Sequence, residues 1–158
     1  MYLYKSETWW DKAFYGEEIA DSKTISKRTG QIATLYHYAS VELLILRHFS
    51  RYAIEPPDCA FDVGSGASHW IRFYKKLGAS KCVGVDVSAK CVELLSNQYA
   101  EDDSVSIYHG VCENILSEVR GKYDIVNAIG VMFHIVDDEE WSRNICKVSD
   151  SLQEGAIL

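Results

Sequence analysis

From Cys59 to the last residue, short apolar runs alternate with helical patterns, and this alternation constrains the fold more than any other feature of the chain. Runs at 59–63, 82–87, 105–108, 123–129 and 156–158 are separated by helical stretches near 69–77, 88–99, 113–119 and 138–152. Short apolar runs suit strands buried on both faces, and strands alternating with helices predict crossover connections and a mostly parallel sheet. Residues at the boundaries agree. Ser88 follows the second run and can cap the next helix, while Asp137 and Glu140 have the spacing of a capping box. Gly78 and Gly155 stand where helices should end.

Ahead of the alternating region, Ile32, Leu35, Tyr36, Ala39, Leu43 and Leu46 recur at three- and four-residue steps, which predicts a long amphipathic helix. The stretch Glu55-Pro56-Pro57-Asp58 stops it, because proline lacks an N–H and restricts the residue before it. Nearer the N-terminus, Trp9, Trp10, Phe14 and Tyr15 are either core aromatics or part of a lid. The chain has 158 residues, 47% of them hydrophobic, enough for one sizeable core. Residues 1–56 therefore read as a helical cap packed on the same domain as an α/β core at 57–158.

Several functions are disfavoured. The formal net charge of -7 opposes a phosphate backbone, and the locally basic stretch 22–30 is short, so nucleic acid is a poor partner. No run of 18 apolar residues occurs and the N-terminus lacks the form of a signal peptide, so no membrane span is expected and a cytoplasmic location is. The five cysteines, Cys59, Cys82, Cys91, Cys112 and Cys146, are scattered through apolar patterns and read as buried reduced thiols. Neither the cysteines nor the five histidines have metal-ligand spacing, so no metal site is expected.

In an open parallel sheet, ligands bind beyond the carboxyl ends of the strands. Gly64 and Gly66 end the first strand, where they permit either a ligand-cradling turn or simply a tight one. Asp86 ends the second strand 24 residues beyond Asp62, at the spacing where an acid accepts both hydroxyls of an adenosine ribose; a plain turn former is the other reading. A dinucleotide site fits poorly. His69 occupies the sixth position counted from Gly64, where the fingerprint has glycine, and Asp62 would sit beside a pyrophosphate.

"FDVGSGAS", "VGVDVS", "YDIVNAIGVMFHIVDDEEW" and "SLQEGAIL" together resemble the class I S-adenosylmethionine-dependent methyltransferases over about residues 57–158, with Ser68 in place of the motif's third glycine. The resemblance implies a Rossmann-like, doubly wound sheet of order 3-2-1-4-5 with S-adenosyl-L-methionine as cofactor. It implies that Asp62 faces the methionine ammonium, that Gly64, Ser65 and Gly66 run past the methionine portion and ribose, and that Asp86 holds the ribose hydroxyls. Ser68 falls in the same cofactor-binding set. Val87 would lie beside the adenine and Ile129 would line the methyl-donor pocket. Where the family often carries an acid near the adenine amine, this sequence has Val111 and Cys112, so the contact expected there is apolar and through backbone.

Methyl transfer from a sulfonium is an in-line displacement that relies on alignment and exclusion of water. A hydroxyl or protonated amine acceptor would also need a base. His134, just past the fourth strand, is the candidate for that role, with loop packing as its other reading. Asp137 to Glu140 read as a helix cap. The expected function is methyl transfer to a small-molecule oxygen or nitrogen nucleophile; a protein methyltransferase, or a non-catalytic module binding the cofactor or a partner, are the alternatives. Because relatives usually continue through another helix and an antiparallel strand pair, the resemblance also predicts a fragment ending at its fifth strand, with self-association through the sheet edge.

Overall fold

The computed structural model describes residues 6–14, 19–25, 30–119 and 121–158. Tyr15 and residues 26–29 of the basic stretch lie outside the described residues. Three helices come first: α1 (Ser6–Ala13), α2 (Asp21–Ile25) and α3 (Gln31–Tyr52). Strands and helices then alternate as β1 (Cys59–Val63), α4 (His69–Leu77), β2 (Lys81–Asp86), α5 (Ala89–Gln98), β3 (Val105–His109), α6 (Cys112–Glu118), β4 (Tyr123–Asn127), α7 (Asp138–Ser151) and β5 (Leu152–Ile157). A turn of 3-10 helix at Met132–His134 follows β4.

The five strands form one sheet in the order β3-β2-β1-β4-β5, every pairing parallel, as the resemblance implied. Side-chain alternation divides the core between the two faces. Ala60, Cys82 and Ile125, in register across β1, β2 and β4, belong to a cluster with Trp70, Ile71 and Tyr74 of α4 and Leu95 of α5. Phe61, Val83 and Val126, the next residues along, pack with Cys112 and Ile115 of α6 and Val148 of α7. The chain thus moves outward from β1 along one face, returns to β4 beside β1, and continues along the other. The carboxyl ends of β1 and β4 flank the point of reversal, where the connections part and leave a crevice.

Two boundary expectations meet a different outcome. Ala53, in the left-handed region with φ +51°, ends α3 by donating its N–H to the Phe49 carbonyl, before the prolines are reached. Gly155 is not a helix end. The strand begins directly after Ser151, and Gly155, with φ +81°, lies inside β5 where the register with β4 shifts.

Helix α3 forms as its periodicity predicts, but with the other face inward. Ile32, Leu35, Tyr36, Ala39, Leu43 and Leu46 are all exposed. The buried or half-buried positions are Thr34, Tyr38, Ser40, Val41, Glu42, Ile45 and Phe49, of which Thr34, Tyr38, Val41, Ile45 and Phe49 form a helical series. The Tyr38 ring selects that face: it stacks on His69 with centroids 3.5 Å apart and meets Trp70 edge-on at 5.7 Å. His69 opens α4, half-buried against α3. The thiols also divide, with Cys82, Cys91 and Cys112 buried, Cys59 half-buried and Cys146 exposed. No described helix is long and apolar enough to cross a membrane.

Candidate functional site

The turn after β1 is fixed by the end of β2. Gly64 and Ser65 both donate their N–H groups to the Val85 carbonyl, at 2.7 and 3.1 Å. Gly64 has φ +71° and Gly66 φ +52°, a region other residues avoid, and a side chain would also collide with neighbours. A Cβ on Gly64 would lie 2.4 Å from Val131, and one on Gly66 would lie 2.9 Å from Thr24. The glycines therefore bring the backbone against the β4 turn on one side and α2 on the other.

Asp86 ties the turns together. Its Oδ2 accepts the Gly66 N–H and its Oδ1 the Ser88 N–H, each at 2.8 Å, while its carbonyl accepts from Gly110 at 3.0 Å. Burial pushes its carboxyl above the ordinary value, with the two backbone hydrogen bonds acting in the opposite direction. Each oxygen keeps a second lone pair available to a hydroxyl.

Asp62 is almost fully enclosed at the end of β1. Oδ1 accepts from the Asn127 amide at 2.6 Å, and Oδ2 is buried with no hydrogen-bond partner among the described residues. Burial raises its pKa from 3.8 to about 7 against the lowering effect of Asn127 and of the nearby Ser65 hydroxyl, which donates to the Asp62 carbonyl at 3.1 Å, with Asp86 adding like charge. A buried carboxylate oxygen left open calls for a cationic donor.

A cavity of about 270 Å³ lies over these turns. Of the residues singled out from sequence, Gly64, Ser65, Gly66, Asp86, Val87, Val111, Cys112, Ile129 and His134 line it. Asp62 is not a lining residue; it sits one residue behind Val63, which is. Ser68 belongs elsewhere. Fully buried with φ +67°, it accepts at Oγ from Arg72 at 2.8 Å, from Tyr99 at 3.1 Å and from Gln98 at 3.2 Å. Those bonds hold the start of α4 against α5, so Ser68 contributes no wall to the cavity.

Over the opening, α1 brings Trp10 and Phe14, and α2 and α3 bring Thr24, His37 and Tyr38. Helix α1 is held by Ser88 Oγ, which donates to Asp11 Oδ1 at 2.8 Å, and by Lys90 Nζ on the Phe14 carbonyl at 3.1 Å. Helix α2 is held through Asp21, whose carboxylate accepts from Arg72 at 2.7 Å; burial acts to raise the Asp21 pKa, but His69 and then Arg72 together lower it. Phe14 is buried while Trp9 is exposed, so the aromatics do not act as one set. Trp10 meets the His134 ring edge-on at 5.3 Å. Partial burial lowers the His134 pKa, keeping the imidazole neutral and able to accept a proton near neutral pH.

Sequence reasoning passed over Asn127 and Asn144, and gave Glu140 only a part in a helix cap. Asn127 was detectable, as a polar residue closing a strand otherwise buried on both faces. Glu140 and Asn144 approach the cavity only through the way α7 docks on α6, which no local pattern encodes.

The methyltransferase domain family matches residues 60–155. Among solved structures, an S-adenosylmethionine-dependent methyltransferase from Clostridium acetobutylicum is similar over 75% of this chain and 48% of its own, with 16% identity and a TM-score of 0.62. The DhpI-SAM-HEP complex matches 80% of this chain and 55% of its own, at 18% identity and a TM-score of 0.59. The N-methyltransferase NodS from Bradyrhizobium japonicum, in complex with S-adenosyl-L-homocysteine, matches 73% and 56% at 14% identity and a TM-score of 0.58. At these identities the likeness is one of fold, and the chain spans about half the length of the matched structures.

Proposed function

The chain belongs to the methyltransferase domain family, and from that premise we propose that the cavity binds S-adenosylmethionine and passes its methyl group to a small-molecule oxygen or nitrogen nucleophile. The observation that carries the reading is the open Oδ2 of buried Asp62 behind the glycine turn. An α-ammonium satisfies that oxygen, whereas the pyrophosphate of a dinucleotide would leave it unpaired and repelled. The surrounding residues fit the rest of the cofactor. Asp86 holds the ribose hydroxyls, the Gly64 to Gly66 backbone leaves room for the methionine portion, Val87, Val111 and Cys112 flank the base, and Ile129 lines the methyl-donor pocket.

When bound, the cofactor supplies an electrophilic methyl group and leaves as a neutral thioether. Asp62 and Asp86 fix the methionine and ribose portions of the ligand, a positioning role that in well-oriented model reactions is worth up to about 7–11 kcal/mol. Trp10 and Phe14 keep water from the cavity beneath α1. His134, its pKa lowered by burial, takes the proton of an acceptor hydroxyl or amine at a ring nitrogen. The roof formed by α1 to α3 favours an acceptor small enough to enter beneath it.

Calorimetry with S-adenosylmethionine, S-adenosylhomocysteine and NADH tests the cofactor assignment. Binding of the first two without the third is expected, and binding of NADH alone would overturn it. An acceptor screen read by S-adenosylhomocysteine release then tests the transfer.

A further inference from the structure

Glu140 is placed for a task that helix capping does not explain. Asp137 and Glu140 have capping-box spacing, but only half the box forms. Asp137 Oδ1 accepts the Glu140 N–H at 2.8 Å, while no return bond from the Glu140 carboxylate is made. Both backbone groups of Glu140 are engaged, the N–H by Asp137 and the carbonyl by the Asn144 amide at 2.9 Å. What Glu140 offers the cavity it lines is therefore its side chain. That side chain belongs to a half-buried residue and has no hydrogen bond or ion pair among the described residues.

Its position along the cavity follows from Asn144, one helical turn further on the same face of α7. Asn144 Oδ1 accepts the Glu113 N–H at 3.1 Å, which docks this face on the first turn of α6. Glu140 thus stands on the α6 side of the cavity, beside the turn after β3 that carries Val111 and Cys112, whereas Asp62 ends β1 two strands away. Val111 and Cys112 are apolar there, and the Asn144 amide is already engaged by the Glu140 carbonyl and the Glu113 N–H. An ionised carboxylate there can only accept hydrogen bonds. The exocyclic amine of adenine donates, whereas the 6-oxo group of hypoxanthine would meet it with a like partial charge.

We propose that Glu140 accepts a hydrogen bond from the adenine amine and selects adenine over 6-oxopurines, reaching the base from α7 instead of from the turn after β3. The inference rests on the reading of the cavity as a site for S-adenosylmethionine. It assigns Glu140 to base recognition and leaves the cap of α7 to Asp137, so substituting the Glu140 side chain preserves the cap.

The test compares calorimetric affinities for S-adenosylhomocysteine and S-inosylhomocysteine in the wild-type chain, Glu140→Gln and Glu139→Gln. The wild type is expected to favour the adenosyl ligand by about tenfold or more, the scale of one hydrogen bond to a charged group. Glu140→Gln, whose amide can donate to the 6-oxo group, should narrow that ratio by about tenfold, while Glu139→Gln, at an exposed position, should leave it unchanged. Circular dichroism melts check that the variants are folded, and Glu140→Ala, which keeps both backbone bonds, should narrow the ratio too. An unchanged ratio in folded Glu140→Gln and Glu140→Ala overturns the role of Glu140 while leaving the cofactor site standing. Failure of the wild type to bind either nucleoside ligand overturns both readings.

Discussion

Asn127 donates its side-chain amide to Asp62 Oδ1 at 2.6 Å, joining the carboxyl ends of β4 and β1 at the point where the sheet's connections part. The bond holds one oxygen of a buried carboxyl in place and leaves the other, Oδ2, for a ligand. The arrangement is costly without that ligand. Burial raises the pKa to about 7, so at neutral pH the apo protein holds a carboxyl divided between its neutral and charged forms.

This gives a pH dependence with a definite sign. From the ordinary 3.8 up to about 7, the unfolded chain releases this proton and the folded chain retains it, so the Asp62 contribution to stability falls across that window and is level above it. Asp62→Asn should therefore raise the melting temperature of the apo protein at about pH 8 but not at about pH 3, where both states are largely protonated. Cofactor affinity should move the other way, weakening by up to about tenfold per pH unit below 7, because the ammonium pairs with the charged form. Calorimetry in buffers of different ionisation enthalpy should detect a proton released on binding at about pH 6, and Asp62→Asn should abolish that release. An affinity in the wild type that is flat from about pH 5 to 8 would count against the ammonium assignment.

Asp86 is predicted to matter twice, since its carboxylate fastens Gly66 and Ser88 as well as meeting the ribose. Asp86→Ala should weaken S-adenosylhomocysteine binding by tenfold or more, as about 1.5–3 kcal/mol is lost per hydrogen bond to a charged group. It should also loosen the glycine turn, seen as faster hydrogen exchange at Gly66 and Ser88. Exchange that rises while affinity holds would leave Asp86 only its structural part.

How far the site could be read from sequence depends on whether a residue's role is local. β1 and α4 fall at the expected residues because an apolar run, a glycine turn and Gly78 define them from within. Asp62, Gly64, Gly66 and Asp86 were visible for the same reason, since strand ends and positive φ leave their mark on residue type. The inward face of α3 was not. Ile32, Leu35 and Leu43 are the more hydrophobic series, but Tyr38 stacks on His69, and that contact spans two helices. Ser68 misled for a related reason. The glycine motif points to a cofactor contact at its third position, whereas here the side chain is claimed by Arg72, Gln98 and Tyr99.

The role proposed for His134 is tested at saturating cofactor, so that the titration of Asp62 does not intrude. His134→Gln should lower kcat by about 10²–10⁴, the usual reach of a general base, with cofactor affinity unchanged. The wild-type kcat should fall on the acid side of a pKa below 6.5, because burial depresses it, and that limb should vanish in the variant. Full activity in His134→Gln would reduce the residue to a packing partner of Trp10.

The two aromatics beneath α1 should separate cleanly. Phe14 is 2% exposed, so Phe14→Ala should destabilise the chain by about 3–5 kcal/mol in denaturant titrations. Trp10 is only half-buried and meets His134 at the cavity, so Trp10→Ala should cost less stability and more ligand affinity. If α1 also closes over the ligand, limited proteolysis near it should slow when S-adenosylhomocysteine is added. Cleavage indifferent to ligand would mean that α1 is a fixed part of the core.

Self-association is the last expectation, and the structure offers two surfaces for it. β5 pairs with β4 alone among the described strands, so its outer N–H and C=O groups form an open edge. The outward stripe of α3, with Ile32, Leu35, Tyr36 and Leu43 each more than half exposed, is an apolar surface on a different element. Sedimentation of the 158-residue chain at increasing concentration should show reversible association. Ala156→Pro removes one edge donor and should weaken an association that runs through β5. Leu35→Glu with Leu43→Glu should leave that association intact, whereas a stripe-mediated contact would respond in the opposite pattern. A single monomeric species at all concentrations would dispose of both.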